Sequence, residues 1–120
     1  MKYKILLFFI IVVHILACKN QDQLYTEQLL GTWDVYASQM NGKPNGFMKD
    51  GYFIFHKNNT VESNLFENNL PQPYSVTESK LKIENSIPFE LNIGSLQNDS
   101  LYLEGRMSLY YMEYFLTKRK

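Results

Sequence analysis

Cysteine occurs once in the 120 residues, at Cys18, and histidine twice, at His14 and His56. One thiol cannot close an internal disulfide, so any folded domain here must hold together through its apolar core. Zinc sites take three or four His or Cys ligands, and a single His beyond the N-terminal segment does not supply them. A Ser–His–Asp arrangement would have to use His56, and no nucleophile-elbow sequence is present. The six glycines are scattered, and no Gly-x-Gly-x-x-Gly precedes a helix to cradle a phosphate. Charge of one sign is also missing: 12 basic side chains face 12 acidic ones. The only basic run is Lys118-Arg119-Lys120, which gives nucleic-acid binding no electrostatic support. No cofactor, metal or nucleic acid is expected, and the chain does not read as an enzyme.

Long apolar runs are equally scarce, and the one present is informative. Ile5–Val13 follows Lys2 and Lys4 and leads through His14 to Ile15-Leu16-Ala17-Cys18. A basic start, a short apolar stretch and a small residue before a cut site have the form of a secretory signal. A membrane span would need roughly 20 apolar residues. Ile-Leu-Ala-Cys resembles the lipobox of bacterial lipoproteins, which implies cleavage before Cys18 and lipid attachment to it. The alternatives are an ordinary cleaved signal with an incidental Cys, or an uncleaved anchor. On the lipoprotein reading, residues 1–17 are signal, 18–28 a polar tether and 29–120 the domain. Asp does not follow Cys18 directly, which disfavours inner-membrane retention. The outer membrane, on its periplasmic face or at the cell surface, is the expected location.

Within the tether, Asp22 is expected to cap a short helix through Gln23–Leu30 that Gly31 ends. From Thr32 on, apolar residues alternate with polar ones, the period of half-buried strands. Trp33, Val35 and Ala37 fall on one face, with Asp34, Tyr36 and Ser38 on the other. Phe53 and Phe55 share a face in the next strand, which leaves His56 pointing outward. Val61, Ser63 and Leu65 continue the pattern, then Tyr74 and Val76, Leu81 and Ile83, and Phe89, Leu91 and Ile93. Leu101 and Leu103 follow, and the last strand turns Tyr110, Met112, Tyr114 and Leu116 inward. Asn-rich turns separate these runs. About eight short strands joined by tight turns read as an all-β, up-and-down antiparallel barrel. The carboxylates Asp34, Glu62, Glu78, Glu84, Glu90, Glu104 and Glu113 mostly fall on the polar phase and are expected in water.

Leu30-Gly31-Thr32-Trp33-Asp34-Val35 resembles the Gly-x-Trp opening of lipocalins. Phe53-Ile54-Phe55, Tyr74-Ser75-Val76, Leu81-Lys82-Ile83, Leu101-Tyr102-Leu103 and Tyr114-Phe115-Leu116-Thr117-Lys118 follow in order. Together they are similar to the lipocalin-like lipoprotein domains of Bacteroidetes-type bacteria. The resemblance implies a basic residue lying over the Trp, with Lys118 the candidate and Arg119 second. The lumen is wide enough for one small ligand, and three inward hydroxyls, on Tyr74, Tyr110 and Tyr114, need partners and suggest a partly polar cup. Trp33, Phe53, Phe55, Tyr74, Phe89, Tyr110 and Tyr114 would line a cup for a small hydrophobic or amphipathic molecule. The same rings could instead fill the barrel as core, since an eight-stranded lumen has room for either outcome. The protein would then act through its loops on an envelope partner. Gln39–Gly51 and Glu67–Pro73 are the candidate loops; Phe47, Met48, Phe66 and Leu70 are apolar residues near them that could make the contact or equally fold as lids over the barrel mouth. The expected partners are thus a membrane, through lipid on Cys18, and either a small ligand or an envelope protein.

Overall fold

The computed structural model describes residues 20–46, 50–66, 68–84 and 89–120. Cys18, Phe47 and Met48 lie outside them. Among the described residues one helix, α1 (Gln21–Leu29), precedes nine strands: β1 (Gly31–Met40), β2 (Lys43–Pro44), β3 (Tyr52–Phe55), β4 (Thr60–Ser63), β5 (Gln72–Thr77), β6 (Lys80–Ile83), β7 (Phe89–Gln97), β8 (Ser100–Met107) and β9 (Tyr110–Lys118). From β3 to β9 each strand pairs with the next, β1 pairs with β3, and β1 also pairs with β9. All these pairings are antiparallel. The result is a closed eight-stranded barrel. The two residues of β2 only fold back on the end of β1, Gln39 opposite Pro44 and Met40 opposite Lys43. Closure removes the free sheet edges that would invite strand addition.

Alternation sets what goes inside. Trp33, Phe53, Phe55, Val61, Tyr74, Leu81, Ile83, Leu91, Leu103, Tyr114 and Leu116 all belong to one buried cluster. Two corrections concern phase. Ala37 is exposed and Ser38 buried, the reverse of strict alternation from Trp33. A bulge lies between Val35 and Ala37 in the pairing with β9, and one extra residue turns every later side chain to the other face. The inward Ser38 hydroxyl donates to the carbonyl of Asn45 at 2.6 Å. Tyr110 was expected inward and is 47 % exposed. It pairs with Met107 at the top of β9, whereas β3 and β4 across the barrel are only four residues long. That opposite wall ends too low to cover it.

The helix also differs in its cap. Asn20, not Asp22, is the N-cap, and its side chain accepts from the backbone N–H of Gln23 at 2.8 Å. The helix runs to Leu29, one residue short of the expectation, and Leu30 is its C-cap. Nine residues would be marginal alone, so docking must hold them. Asp22, Tyr25, Thr26 and Leu29, spaced three and four apart, are its less exposed residues; Gln21, Leu24, Glu27 and Gln28 face water. Asp22 accepts from the backbone N–H groups of Glu78 (3.2 Å) and Ser79 (3.3 Å) in the β5–β6 turn. Leu29 is fully buried. The segment read as tether is thus helical from Gln21 and rests against the barrel. It starts at the β5–β6 turn and ends where β1 begins, so it crosses one mouth. We call this the lower end; the β3–β4, β5–β6 and β7–β8 turns and the C-terminus share it. The β1–β2, β4–β5 and β8–β9 connections lie at the upper end.

Candidate functional site

Two side chains and a backbone carbonyl build the lower floor. The Trp33 indole N–H donates to the carbonyl of Leu29 at 2.8 Å in a buried bond. This satisfies both an aromatic donor that burial would otherwise strand and a free helix-end carbonyl. Lys118 Nζ lies 5.6 Å from the centroid of the Trp33 ring, within cation–π range. Gly31 sits at φ +122°, where L side chains are strained, and a Cβ there would come within 3.0 Å of Lys118 Cε. The glycine of the opening motif therefore makes room for the lysine stem. Arg119 does something else: it grips Asp34 from outside, Nε to Oδ2 at 2.9 Å and Nη2 to Oδ1 at 2.5 Å. That hydrogen bond holds the Asp34 carboxyl below its usual value.

The residues named as lumen lining are brought together, but chiefly onto one another. Trp33, Phe53, Phe55, Tyr74 and Tyr114 are each at most 6 % exposed. Phe55 meets Tyr74 edge-on at 5.1 Å, and Phe53 stacks on Phe55 at 6.2 Å. Phe66, from the β4–β5 connection, folds in and meets Phe53 edge-on at 6.4 Å. It is 6 % exposed and serves as core, whereas Leu70 beyond it is 64 % exposed. The Tyr114 hydroxyl donates to the Met107 sulfur at 3.3 Å, and burial pushes its pKa up to about 12. Phe89 pairs in register with Ile83; its side chain lies outside the described residues. Tyr110 is above the rim.

Among the described residues one inward group is left over. The Tyr74 hydroxyl is buried without a hydrogen-bond partner, and burial raises its pKa. Tyr74 also borders a cleft of about 210 Å³ at the β5–β6–β7 wall, shared with Pro73, Ser75, Lys82, Ile83, Glu84 and Glu90. Typical small-molecule sites are roughly 300–1,000 Å³. His56 lies at the lower rim, its Nε2 3.4 Å from Glu62 Oε1. Among the described residues no group of three or more His, Cys, Asp or Glu could hold a metal. None of their helices is long and apolar enough to cross a membrane.

Comparison with protein-family models, curated proteins and solved structures finds no match. Assignment of a site therefore rests on this chain's own geometry.

The outer wall carries a constellation that the alternation pattern treated only as solvated. Glu104 and Glu113 are directly opposite each other on β8 and β9, a pairing that like charges disfavour. Two phenols manage it. The Tyr102 hydroxyl lies 2.5 Å from Glu113 Oε2 and 2.9 Å from Glu104 Oε2, and Tyr111 donates to Glu104 Oε2 at 2.6 Å. One hydroxyl has one proton, so Tyr102 donates to a single carboxylate at a time. The Tyr111 and Tyr102 bonds lower the Glu104 pKa, and the Glu104 bond pushes Tyr111 up to about 12. Partial burial and both carboxylates raise Tyr102 further. Phe115 stacks on Tyr102 at 5.0 Å, and Tyr36 approaches Phe115 at 6.4 Å. A row of rings thus crosses β8, β9 and β1 on the outside. The signal was in the sequence: Tyr102, Tyr111, Phe115 and Tyr36 are large rings in the polar phase.

Proposed function

We propose that this protein is a lipid-anchored envelope lipoprotein whose barrel is a solid support, acting by surface contact with an envelope partner and not by catalysis. The observation that carries this is the interior: the rings that could line a cup pack edge-to-face and stacked against each other, nearly free of solvent. The lipobox-like Ile15-Leu16-Ala17-Cys18 supports the anchor, and the motif order from Gly31 to Lys118 supports the likeness to lipocalin-like lipoprotein domains. Contact surfaces are available outside. The upper end presents Leu70, Leu109 (81 % exposed) and Tyr110, and the wall presents Tyr36 and Tyr111.

A second reading, a carrier of a small hydrophobic or amphipathic molecule, has one observation in its favour. The unpartnered Tyr74 hydroxyl could take a polar atom of a ligand. Native mass spectrometry of protein purified from its own host separates the two. The solid-barrel reading expects the bare lipidated chain; a co-purified small molecule, lost in Tyr74→Phe, would overturn it in favour of a carrier. The anchor is tested by Cys18→Ser, which should move the protein from the membrane to the soluble fraction because its acyl chains are gone. A variant that stays membrane-bound defeats the lipidation claim.

A further inference from the structure

A lipid on Cys18 leaves little chain between membrane and fold. Only Lys19 separates it from Asn20, the N-cap of α1. Two Cα steps of 3.80 Å span at most about 7.6 Å. Had residues 18–28 been an extended tether, the reach would have been roughly 30 Å or more and the barrel could have tumbled freely. The helix rules this out, because it is fixed at both ends. Near its start, Asp22 takes the N–H groups of Glu78 and Ser79. At its finish, Leu29 is fully buried and its carbonyl receives the Trp33 indole. Glu78 and Ser79 both have positive φ, 52° and 62°, so the turn that receives Asp22 is itself a tight, specific shape.

We infer that the helix-capped lower end is the protein's membrane-apposed surface, and that the bilayer is the partner which covers it. The inference rests on the lipid-anchor reading of Cys18 and adds the orientation. The exposed face of α1 and the Lys57-Asn58 and Asn98-Asp99 turns then lie against the lipid headgroups. Apart from Leu24, these outward residues are polar, which suits resting on headgroups and not inserting among acyl chains. The exposed apolar residues Leu70, Leu109 and Tyr110 sit at the other end and are held away from the membrane. β9 has nine residues; at a rise near 3.3 Å and the tilt of a closed barrel, that separates the two ends by roughly 20–25 Å. The surface left free for an envelope partner is therefore the upper end and the side walls.

Energy transfer from protein to bilayer tests this. The full chain, expressed in a bacterium and purified from membranes, carries one new thiol at Lys57→Cys (lower end) or Leu109→Cys (upper end). Each is labelled with a donor dye and reconstituted into phosphatidylethanolamine–phosphatidylglycerol vesicles with acceptor-labelled headgroups. Transfer should be several-fold stronger from position 57 than from 109. A long glycine–serine insert between Lys19 and Asn20 should bring the two values together. Equal transfer from both positions without the insert, or stronger transfer from 109, overturns the orientation while leaving the anchor intact. Protein that never partitions to membranes overturns the anchor, and the orientation with it.

Discussion

The carboxylate of Asp22 accepts from the backbone N–H groups of Glu78 and Ser79, 56 and 57 positions away in the chain. It joins the N-terminal helix to a turn in which two consecutive non-glycine residues adopt positive φ. Such a two-residue hairpin suits the twist of its strands but strains side chains at both central positions. Asp22→Ala should therefore cost roughly 1–3 kcal/mol, the usual loss when hydrogen bonds to a charged group are removed. Ser79→Gly should gain up to about 1 kcal/mol by relieving the left-handed backbone. Urea unfolding measures both, and hydrogen exchange should show Asp22→Ala losing protection in residues 21–29 ahead of the barrel.

Trp33 offers two separable effects. Trp33→Ala removes the largest buried side chain, and truncations of that size cost roughly 3–5 kcal/mol. Trp33→Phe keeps most of the packing but leaves the buried Leu29 carbonyl without its donor, at roughly 1–3 kcal/mol. A loss below about 1 kcal/mol for the alanine variant would place Trp33 outside the core.

Alkaline pH should unfold the barrel through its phenols. Tyr74, Tyr102, Tyr111 and Tyr114 all have raised pKa values in the folded state. A raised pKa means the folded chain keeps protons that the unfolded chain loses near 10. Stability from these groups is therefore complete below about pH 10 and drains away as pH rises toward 12 and beyond. Tyrosinate absorbance for the buried Tyr74 and Tyr114 should appear together with unfolding, whereas Tyr102 and Tyr111, on the outer wall, ionise above pH 10 without requiring it. Tyr102→Phe should remove one outer-wall ionisation and leave Glu104 and Glu113 facing each other without their shared donor.

At the acid end the sign reverses. Asp34 is held below its ordinary 3.8, chiefly by the Arg119 hydrogen bond. A depressed pKa contributes stability that is present above the unfolded value and lost as pH falls through the lower folded one. Both groups are well exposed, so the effect is small and screened by salt. The difference in Tm between wild type and Arg119→Ala should be largest near neutral pH and in low salt, and should shrink as pH falls below the ordinary aspartate value of 3.8 and through the lower folded one.

Much of this was written in the period of the sequence, and the departures have local causes. The strand set, the closure and the inward run from Trp33 to Leu116 follow from alternation, because each apolar phase has only one face it can bury. The bulge after Val35 left no mark, since Tyr36-Ala37-Ser38 is consistent with either phase. Tyr110 is in the inward phase of β9, and only the shortness of β3 and β4 exposes it. Asn20 and Asp22 are both good N-caps, and Asp22 is diverted by a turn far away in sequence. The outer cluster was only half legible: large rings in the polar phase mark it, but each carboxylate reads as ordinary surface. Tyr102, Glu104, Tyr111 and Glu113 become a unit only when β8 and β9 are paired in register.

Two glycines on the β7–β8 wall have different neighbours, strand backbone in one case and a side chain in the other. At Gly105 a Cβ would lie 2.8 Å from the carbonyl oxygen of Glu90 and 3.4 Å from Leu91 Cα. Both are backbone atoms of β7, so the strand itself must shift, and overpacking of this kind costs roughly 1–3 kcal/mol. At Gly94 a Cβ would overlap the Tyr102 ring, a side chain. That ring can swing away, so Gly94→Ala should lose less stability than Gly105→Ala. Its penalty falls on the cluster instead: the Tyr102 hydroxyl leaves Glu104 and Glu113, and its pKa moves back toward the ordinary tyrosine value. A pH titration followed by absorbance near 295 nm, beside urea unfolding of both variants, checks the pair. If Gly94→Ala is the more damaging to stability and leaves the phenol titration untouched, the stacking of Tyr102 over Gly94 is not what holds that hydroxyl between its carboxylates.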